Sequence, residues 1–411
     1  MTRFGTGGRG RLTCLMATMA TMALAVAVAV PLTPAAAAQR TGGVRAQLPA
    51  PTGPHQVGTT RLHLVDHSRP DPWVPAEPAR ELMATVWYPT RDADRYPVAP
   101  QMPPAAAAHF ETVMAEGTFA IPARIPPGTV DWAGTRTNSH LGAPPDFRGG
   151  PYPVLLYSPG HYMSRVFGTA LAEEFASQGY VVVAVDHTYD PTEVEFPGGR
   201  VEVNRQPDPG SFETFKRELG IRAVDIPFVL DELARHNFGG VLDLGRVGMF
   251  GHSLGGATTA QSMHDDPRIL AGVDLDGAVG TKEDPWGTVT TEGLDRPLLL
   301  FTHDGADHTD PLISELWRNL RGWRLNLQLA SSAHNSFNDL SSMVPDLLAG
   351  GALTGAQATE LVGTADPGDL AGDVAALRAY TRSFFDLHLR GRDDKLLAGP
   401  SPAHPGVRFV R

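Results

Sequence analysis

Gly251-His252-Ser253-Leu254-Gly255 is the segment of this 411-residue chain whose residue types and spacing could do chemistry. A serine hydroxyl is a weak nucleophile until a sharp turn holds it clear of the backbone and a base takes its proton. Glycines two residues to either side leave room for that turn, where side chains would collide. The apolar run Val247 to Phe250 reads as a short buried strand. Gly255, Gly256, Ala257, Thr258, Thr259 and Ala260 read as the start of a helix. That helix would aim its first N–H groups at a developing negative charge. The chemistry implied is acyl transfer through Ser253. It further needs a base, an orienting carboxylate and two backbone donors.

On a strand–turn–helix elbow these groups follow in the order serine, acid, histidine. Fifteen histidines are present, so position must choose among them. His334 lies in Ser332-Ala333-His334-Asn335-Ser336-Phe337, directly after the expected last strand. His303 and His308 follow the strand before and are less well placed. His252 sits inside the elbow, with its ring expected to point away from Ser253. For the acid, Asp276 ends the first strand after the elbow, while Asp304 and Asp307 follow the next one and stay open as alternatives. Asp274 should alternate to the other side of its strand. The two donors are expected to be the Leu254 N–H and the His161 N–H, the latter in the turn Ser158-Pro159-Gly160-His161-Tyr162.

The elements that must position these residues alternate. Thr59 to Asp66 and Glu81 to Tyr88 read as an antiparallel pair. Pro153 to Ser158, Tyr180 to Val185, Ile269 to Leu275 and Pro297 to Thr302 read as strands. Leu325, Leu327 and Leu329 alternate with Asn326 and Gln328, predicting a half-buried last strand. Thr169 to Ser177, Phe215 to Asn237 and Val374 to Leu389 read as helices. Continuous apolar strands separated by helices predict an α/β fold, a mostly parallel central sheet with helices on both faces. Residues 99–150 are rich in proline and loop-like, a wall or lid over the site or a packed surface excursion.

The first 38 residues read as a secretory signal peptide. Arg3, Arg9 and Arg11 precede an apolar run from Leu12 to Leu32, then Pro34-Ala35-Ala36-Ala37-Ala38. An uncleaved anchor is the rival reading. Residues 39–55 read as a linker, and 56–411 as a single domain. Cys14 is the one cysteine and lies in the leader, so thiol chemistry and cysteine-held metal are excluded from the mature chain. Cleavage would remove three arginines and no acid, taking formal net charge from −11 to −14. Such a surface argues against nucleic acid and against capture by anionic membranes. His303-Asp304-Gly305-Ala306-Asp307-His308-Thr309-Asp310 is rich in ligand-type residues, but its spacing is not that of a calcium loop. It reads instead as a loop with Asp310 capping the next helix, so neither metal nor cofactor is expected.

Five pieces recur in order along residues 55–390. They are Tyr157-Ser158-Pro159-Gly160, Val183-Ala184-Val185-Asp186-His187, Gly251-His252-Ser253-Leu254-Gly255-Gly256, Gly272-Val273-Asp274-Leu275-Asp276-Gly277 and His334-Asn335-Ser336-Phe337-Asn338-Asp339. With them the chain resembles the plasma-type (isoform II) platelet-activating-factor acetylhydrolases and their secreted bacterial relatives of the α/β-hydrolase fold. The resemblance implies an acid after the first strand beyond the elbow, which favours Asp276. Pro159 stands where that family often has histidine. The reading is a secreted, cofactor-free serine hydrolase of short acyl esters, with a small ester or lipid as its partner. A lipase, cutinase or polyester hydrolase with the same triad is the rival enzyme. A silent binding protein on the same fold is the rival outside enzymes.

Overall fold

Val181 to Val185 shows why the core has two faces. Val181, Val183 and Val185 point into one apolar cluster, while Val182 and Ala184 point into another. A strand buried on both sides cannot alternate polar with apolar, so it reads as an unbroken apolar run. The same division splits Val154 and Leu156 from Leu155 and Tyr157.

The computed structural model describes residues 42–411 apart from Phe119. The expected signal peptide, with Cys14, lies outside the described residues. Thirteen strands are described. In the first half they are β1 (Gln56–Asp66), β2 (Arg80–Thr90), β3 (Val98–Pro100), β4 (Arg136–Leu141), β5 (Tyr152–Ser158), β6 (Val181–Asp186), β7 (Glu193–Glu195) and β8 (Val201–Val203). In the second they are β9 (Leu242–His252), β10 (Ile269–Leu275), β11 (Leu298–Thr302), β12 (Arg324–Leu329) and β13 (Val407–Val410). All but β7 and β8 join one sheet of order β13-β12-β11-β10-β9-β5-β6-β2-β1-β4-β3. The central run from β6 through β5, β9, β10 and β11 to β12 is parallel, and β1 and β2 form the expected antiparallel pair.

The helices are α1 (Pro104–Glu116), α2 (Thr169–Ser177), α3 (Phe212–His236), α4 (Leu254–Asp265), α5 (Thr288–Glu292), α6 (Ser314–Asn319), α7 (Asp339–Ala349), α8 (Gly355–Val362) and α9 (Pro367–Arg390). Leu219, Ile226 and Leu233 of α3, with Ala257 and Met263 of α4, cover one face of the sheet. Phe175 of α2 and Leu377, Tyr380 and Phe384 of α9 cover the other. Among the described residues no helix is long and apolar enough to cross a membrane.

Three expectations are corrected. The strand at Leu325–Leu329 is not the last, because β13 pairs antiparallel beyond it, Leu327 opposite Phe409. Asn326 on its polar side is fully buried, since the loop after β11 folds over it and the His308 N–H donates to its Oδ1 at 2.9 Å. The expected linker is, over its described part, a packed strap. Ala46 and Leu48 are fully buried, and the Gln47 N–H donates to Asp346 on α7 at 2.8 Å. Its Gly and Pro content suits an extended chain that turns often, and apolar side chains at two positions suffice to anchor it. Segment 99–150 builds β3, α1 and β4. Phe110 of α1 packs edge-on against Trp132 at 5.0 Å, beside Phe167, Met343 and Leu361 in a third apolar cluster.

Candidate active site

Ser253 follows the last residue of β9 and precedes the first of α4, with φ 56° and ψ −124°. Such backbone is strained for any residue with a side chain, and neighbouring hydrogen bonds must hold it. The Ser253 N–H donates to the Leu275 carbonyl at 2.8 Å, and the Gly256 N–H to the Ser253 carbonyl at 2.8 Å. A Cβ at Gly255 would lie 1.9 Å from the Ser158 carbonyl oxygen, and one at Gly251 2.1 Å from the Gly255 carbonyl oxygen. The elbow therefore closes only with glycine at both flanks, and it is wedged against the end of β5.

His334 is brought to Ser253 by the loop after β12. Its Nε2 lies 2.9 Å from Ser253 Oγ and its Nδ1 2.6 Å from Asp276 Oδ2. In that geometry Nδ1–H donates to the carboxylate, which leaves Nε2 to accept the serine proton. Asp276 directly follows β10 with φ 61°, and its N–H donates to the Phe301 carbonyl at 2.9 Å. Burial would raise its carboxyl, but hydrogen bonds from His303 and His334 outweigh this and hold it well below the usual carboxylate range. Asp304 and Asp307 are not brought to His334. Asp304 accepts from the Ser331 N–H at 3.0 Å and Arg408 at 2.9 Å, and Asp307 from the Thr309 N–H at 2.7 Å. Asp274 turns away as alternation requires and accepts from the Gly277 N–H at 2.7 Å. Burial pushes its carboxyl up to about 7.

Two histidines do more than their spacing suggested. His303 donates to Asp276 both from its backbone N–H, at 2.9 Å, and from Nδ1, at 2.8 Å. That bond raises the His303 pKa against the opposing effect of burial. His252 does not turn clear of the site. Its ring packs 4.7 Å from that of His334, and its Nε2–H donates to the His334 carbonyl at 2.8 Å. Burial first and the facing His334 second push His252 down to about 3, so it is neutral. Asp276, His303 and His334 bring ligand-type atoms within 4.8 Å of one another, each already engaged in the hydrogen bonds given. Asp310 accepts from the Leu312 N–H at 2.8 Å and closes the turn before α6, rather than capping a helix that starts at Ser314.

Leu254 and His161 both line the cleft over Ser253. Beneath the turn that carries His161 lies a floor of buried charge. Arg222 of α3, fully buried, donates to the Pro159 carbonyl at 2.5 Å and the Gly160 carbonyl at 3.3 Å, and pairs with Glu218 and Asp190. Glu218 accepts from His161 Nδ1–H at 2.6 Å. Burial would raise Glu218, but Arg222 outweighs it and keeps the group ionised. The sequence carries one signal of this floor. Glu218, Arg222 and Asp225 share the helical face of Leu219 and Ile226, where a polar residue must find a partner.

The cleft has a volume of about 400 Å³, and Asp276, His334, His252 and Met163 lie along it with Ser253. Phe212, Phe215 and Trp286 line it as a group of mutually packed rings, and Ala120, Pro122, Asn335, Glu360 and Leu361 line it too. Segment 99–150 thus contributes part of a wall.

Comparison with known proteins bears on the family and the fold. The family model described as platelet-activating factor acetylhydrolase, isoform II, matches residues 41–192. A probable 1-alkyl-2-acetylglycerophosphocholine esterase of Arthroderma benhamiae is 30% identical over 392 residues, 88% of this chain and 93% of that one. The platelet-activating factor acetylhydrolase of Cavia porcellus is 25% identical over 233 residues, 47% of this chain and 50% of its own. Among solved structures, a ferulic acid esterase from Streptomyces cinnamoneus superposes with a TM-score of 0.75 at 36% identity, covering 89% of this chain and 99% of that one. The sheet order, the elbow and these near-full-length likenesses lead to one conclusion: the chain is a carboxylic ester hydrolase of the α/β-hydrolase fold and belongs to the platelet-activating factor acetylhydrolase isoform II family.

Proposed function

We propose that the chain is a secreted serine ester hydrolase that cleaves short acyl esters through Ser253, His334 and Asp276. The observation that carries the reading is the relay from Ser253 Oγ to His334 Nε2 at 2.9 Å and from His334 Nδ1 to Asp276 at 2.6 Å, in strained backbone at the base of an open cleft. Ser253 Oγ attacks the acyl carbon while His334 Nε2 takes its proton. Asp276 holds the tautomer and stabilises the imidazolium. The Leu254 and His161 N–H groups receive the oxyanion, and the Arg222 floor fixes the turn that presents the second of them. His334 returns the proton to the leaving alcohol. It then activates the water that releases the acid from Ser253. No step calls for a cofactor, and the acidic body is suited to a soluble small ester or lipid rather than nucleic acid.

The leader-like first 38 residues support export. The acetyl ester in the fungal relative's name and the cleft's modest volume support a short acyl group. The test is a series of p-nitrophenyl esters from acetate to palmitate. Activity is expected to peak between acetyl and butyryl. Each methylene that fits is worth about 0.8 kcal/mol, so a deep pocket would instead show kcat/KM rising onward. An optimum at octanoate or beyond would favour the lipase-like reading.

A further inference from the structure

Asp276 is buried and ionised, yet among the described residues no arginine or lysine pairs with it. Its side-chain partners are two imidazoles. His334 Nδ1 and His303 Nδ1 lie 2.6 Å and 2.8 Å from the same oxygen, Oδ2. The buried carboxylates of Asp225 and Glu218 are met instead by arginines, whose charge is permanent. A buried carboxylate met only by histidine gains from any further cation that can reach it.

A cation can reach it here. The His303 side chain is 36% exposed and that of His334 48%, so water touches both rings above Asp276. The ligand-type atoms of all three lie within 4.8 Å of one another. Two nitrogens and a carboxylate oxygen suit a borderline divalent ion such as zinc, and not calcium or magnesium, which take oxygen. At about 2.1 Å per bond, two ligands on a tetrahedral ion stand about 3.4 Å apart, so the carboxylate need withdraw from the rings by only about 0.6–0.8 Å. The hydrogen bonds now joining the three groups do not block this. Each neutral ring can carry its proton on Nε2 instead of Nδ1, which frees Nδ1 as a ligand with no net loss of a proton. That tautomer is the wrong one for catalysis. With a proton on Nε2, His334 has no lone pair left for the hydroxyl of Ser253, 2.9 Å away.

We propose that Asp276, His303 and His334 form an inhibitory site for a zinc-type divalent cation, which switches the enzyme off reversibly by holding His334 in the wrong tautomer. The reaction itself needs no metal. The proposal rests on the serine-hydrolase reading of Ser253 and His334. It is tested on the purified full chain with p-nitrophenyl acetate at about pH 8, above the ordinary histidine range. Micromolar Zn2+ should suppress turnover and EDTA should restore it, while Ca2+ and Mg2+ at the same concentrations leave it unchanged. In His303→Gln, measured against its own metal-free rate, the zinc concentration for half-inhibition should rise at least about tenfold to a hundredfold, since even an outer-shell partner is worth that much. A second measurement does not depend on turnover. Co2+ added to Ser253→Ala should give the visible absorption of a nitrogen-ligated cobalt site, and replacing His303 by Gln as well should remove it. Equal zinc sensitivity in wild type and His303→Gln would overturn the site, as would indifference to zinc or equal inhibition by Ca2+ and Mg2+. Cobalt absorption that survives the loss of His303 would overturn it too. Turnover that persists in Ser253→Ala would instead remove the reading beneath and leave the cobalt result standing.

Discussion

Among the described residues, Ser253–His334–Asp276 and Ser158–His187–Asp225 are two serine–histidine–aspartate relays of nearly the same geometry. Ser253, His334 and Asp276 are linked at 2.9 and 2.6 Å. Ser158 Oγ lies 3.1 Å from His187 Nε2, and His187 Nδ1 lies 2.8 Å from Asp225. The differences lie around them. Ser158 ends a regular strand, is fully buried, and also accepts from Arg222 Nη1 at 3.3 Å. Burial pushes His187 down to about 4, so it stays a neutral imidazole at neutral pH. Asp225 is tied to Arg80 at 2.8 Å and Arg69 at 2.6 Å. His334 has a side chain 48% exposed, and Ser253 stands on strained backbone beside candidate oxyanion donors. The comparison teaches that a triad of residue types is a hydrogen-bonding motif first. It becomes chemistry only with access, a raised nucleophile and somewhere for negative charge to go.

The largest effect that can break this comparison is at the serines. Ser253→Ala should abolish ester turnover in a folded protein, and a phosphonate should label Ser253 while leaving Ser158 unmodified, as read by peptide mass. Ser158→Ala should keep turnover within about tenfold while costing about 1–3 kcal/mol of stability, because its buried partners lose a hydrogen bond. Labelled Ser158 would mean that burial does not separate the two relays.

The acids come next. Asp276→Asn should lower kcat by about 10⁴, the cost of a wrong imidazole tautomer, with Asp304→Asn within a few-fold of wild type. Asp225→Asn should act on the fold. Its loss takes from buried Arg80 one of its two carboxylate partners, leaving Asp71 at 2.8 Å, and should cost up to about 3–5 kcal/mol in denaturant melts. If Asp304→Asn is the crippled variant, the acid lies after β11.

A smaller effect sharpens the link between the buried floor and the open site. Glu218→Gln weakens the hold on His161, so kcat should fall about tenfold to a hundredfold with KM changed less than about twofold, as for a group felt only in the transition state. A rise in KM at constant kcat would detach the floor from the oxyanion turn.

The smallest effect concerns His303. Its folded pKa is raised above the unfolded value of about 6.5 by the bond to Asp276. The stability it adds is fully present below that value and is lost as pH rises through the raised folded pKa. His303→Gln should therefore melt below wild type at acidic pH, by less than about 1 kcal/mol for a half-exposed pair, and converge with it at alkaline pH. A gap that widens with pH would reverse the assignment.

Much of this was legible in residue order. The elbow, the βα alternation and the residues that meet at Ser253 all follow from local spacing, since each comes from the segment that follows a strand of one parallel sheet. The strand β13 was not legible: four residues, Val407 to Val410, carry too little pattern until β12 offers them an edge. Helix α8 was announced by Thr354 and Gln357, whose reciprocal capping hydrogen bonds mark its start, a signal three residues long and easily passed over. The second relay was hidden for a different reason. Sequence lists charges but not their burial, and Ser158, His187 and Asp225 become a unit only when β5, β6 and α3 pack.

The strap at residues 42–50 sets a schedule for the chain's assembly. Gln47 is bonded to Asp346, 299 residues away, and the carbonyls of Pro49 and Ala50 accept from Arg378, 329 and 328 residues away. The strap pairs early with residues 129–136, but its docking is complete only after the last helix exists. Contacts so distant in sequence form late, because the loop they close must be ordered first. The strap is therefore among the last pieces to be finished, and until then Ala46 and Leu48 lack the part of their cover that α7 supplies, a handle for whatever escorts an unfinished chain.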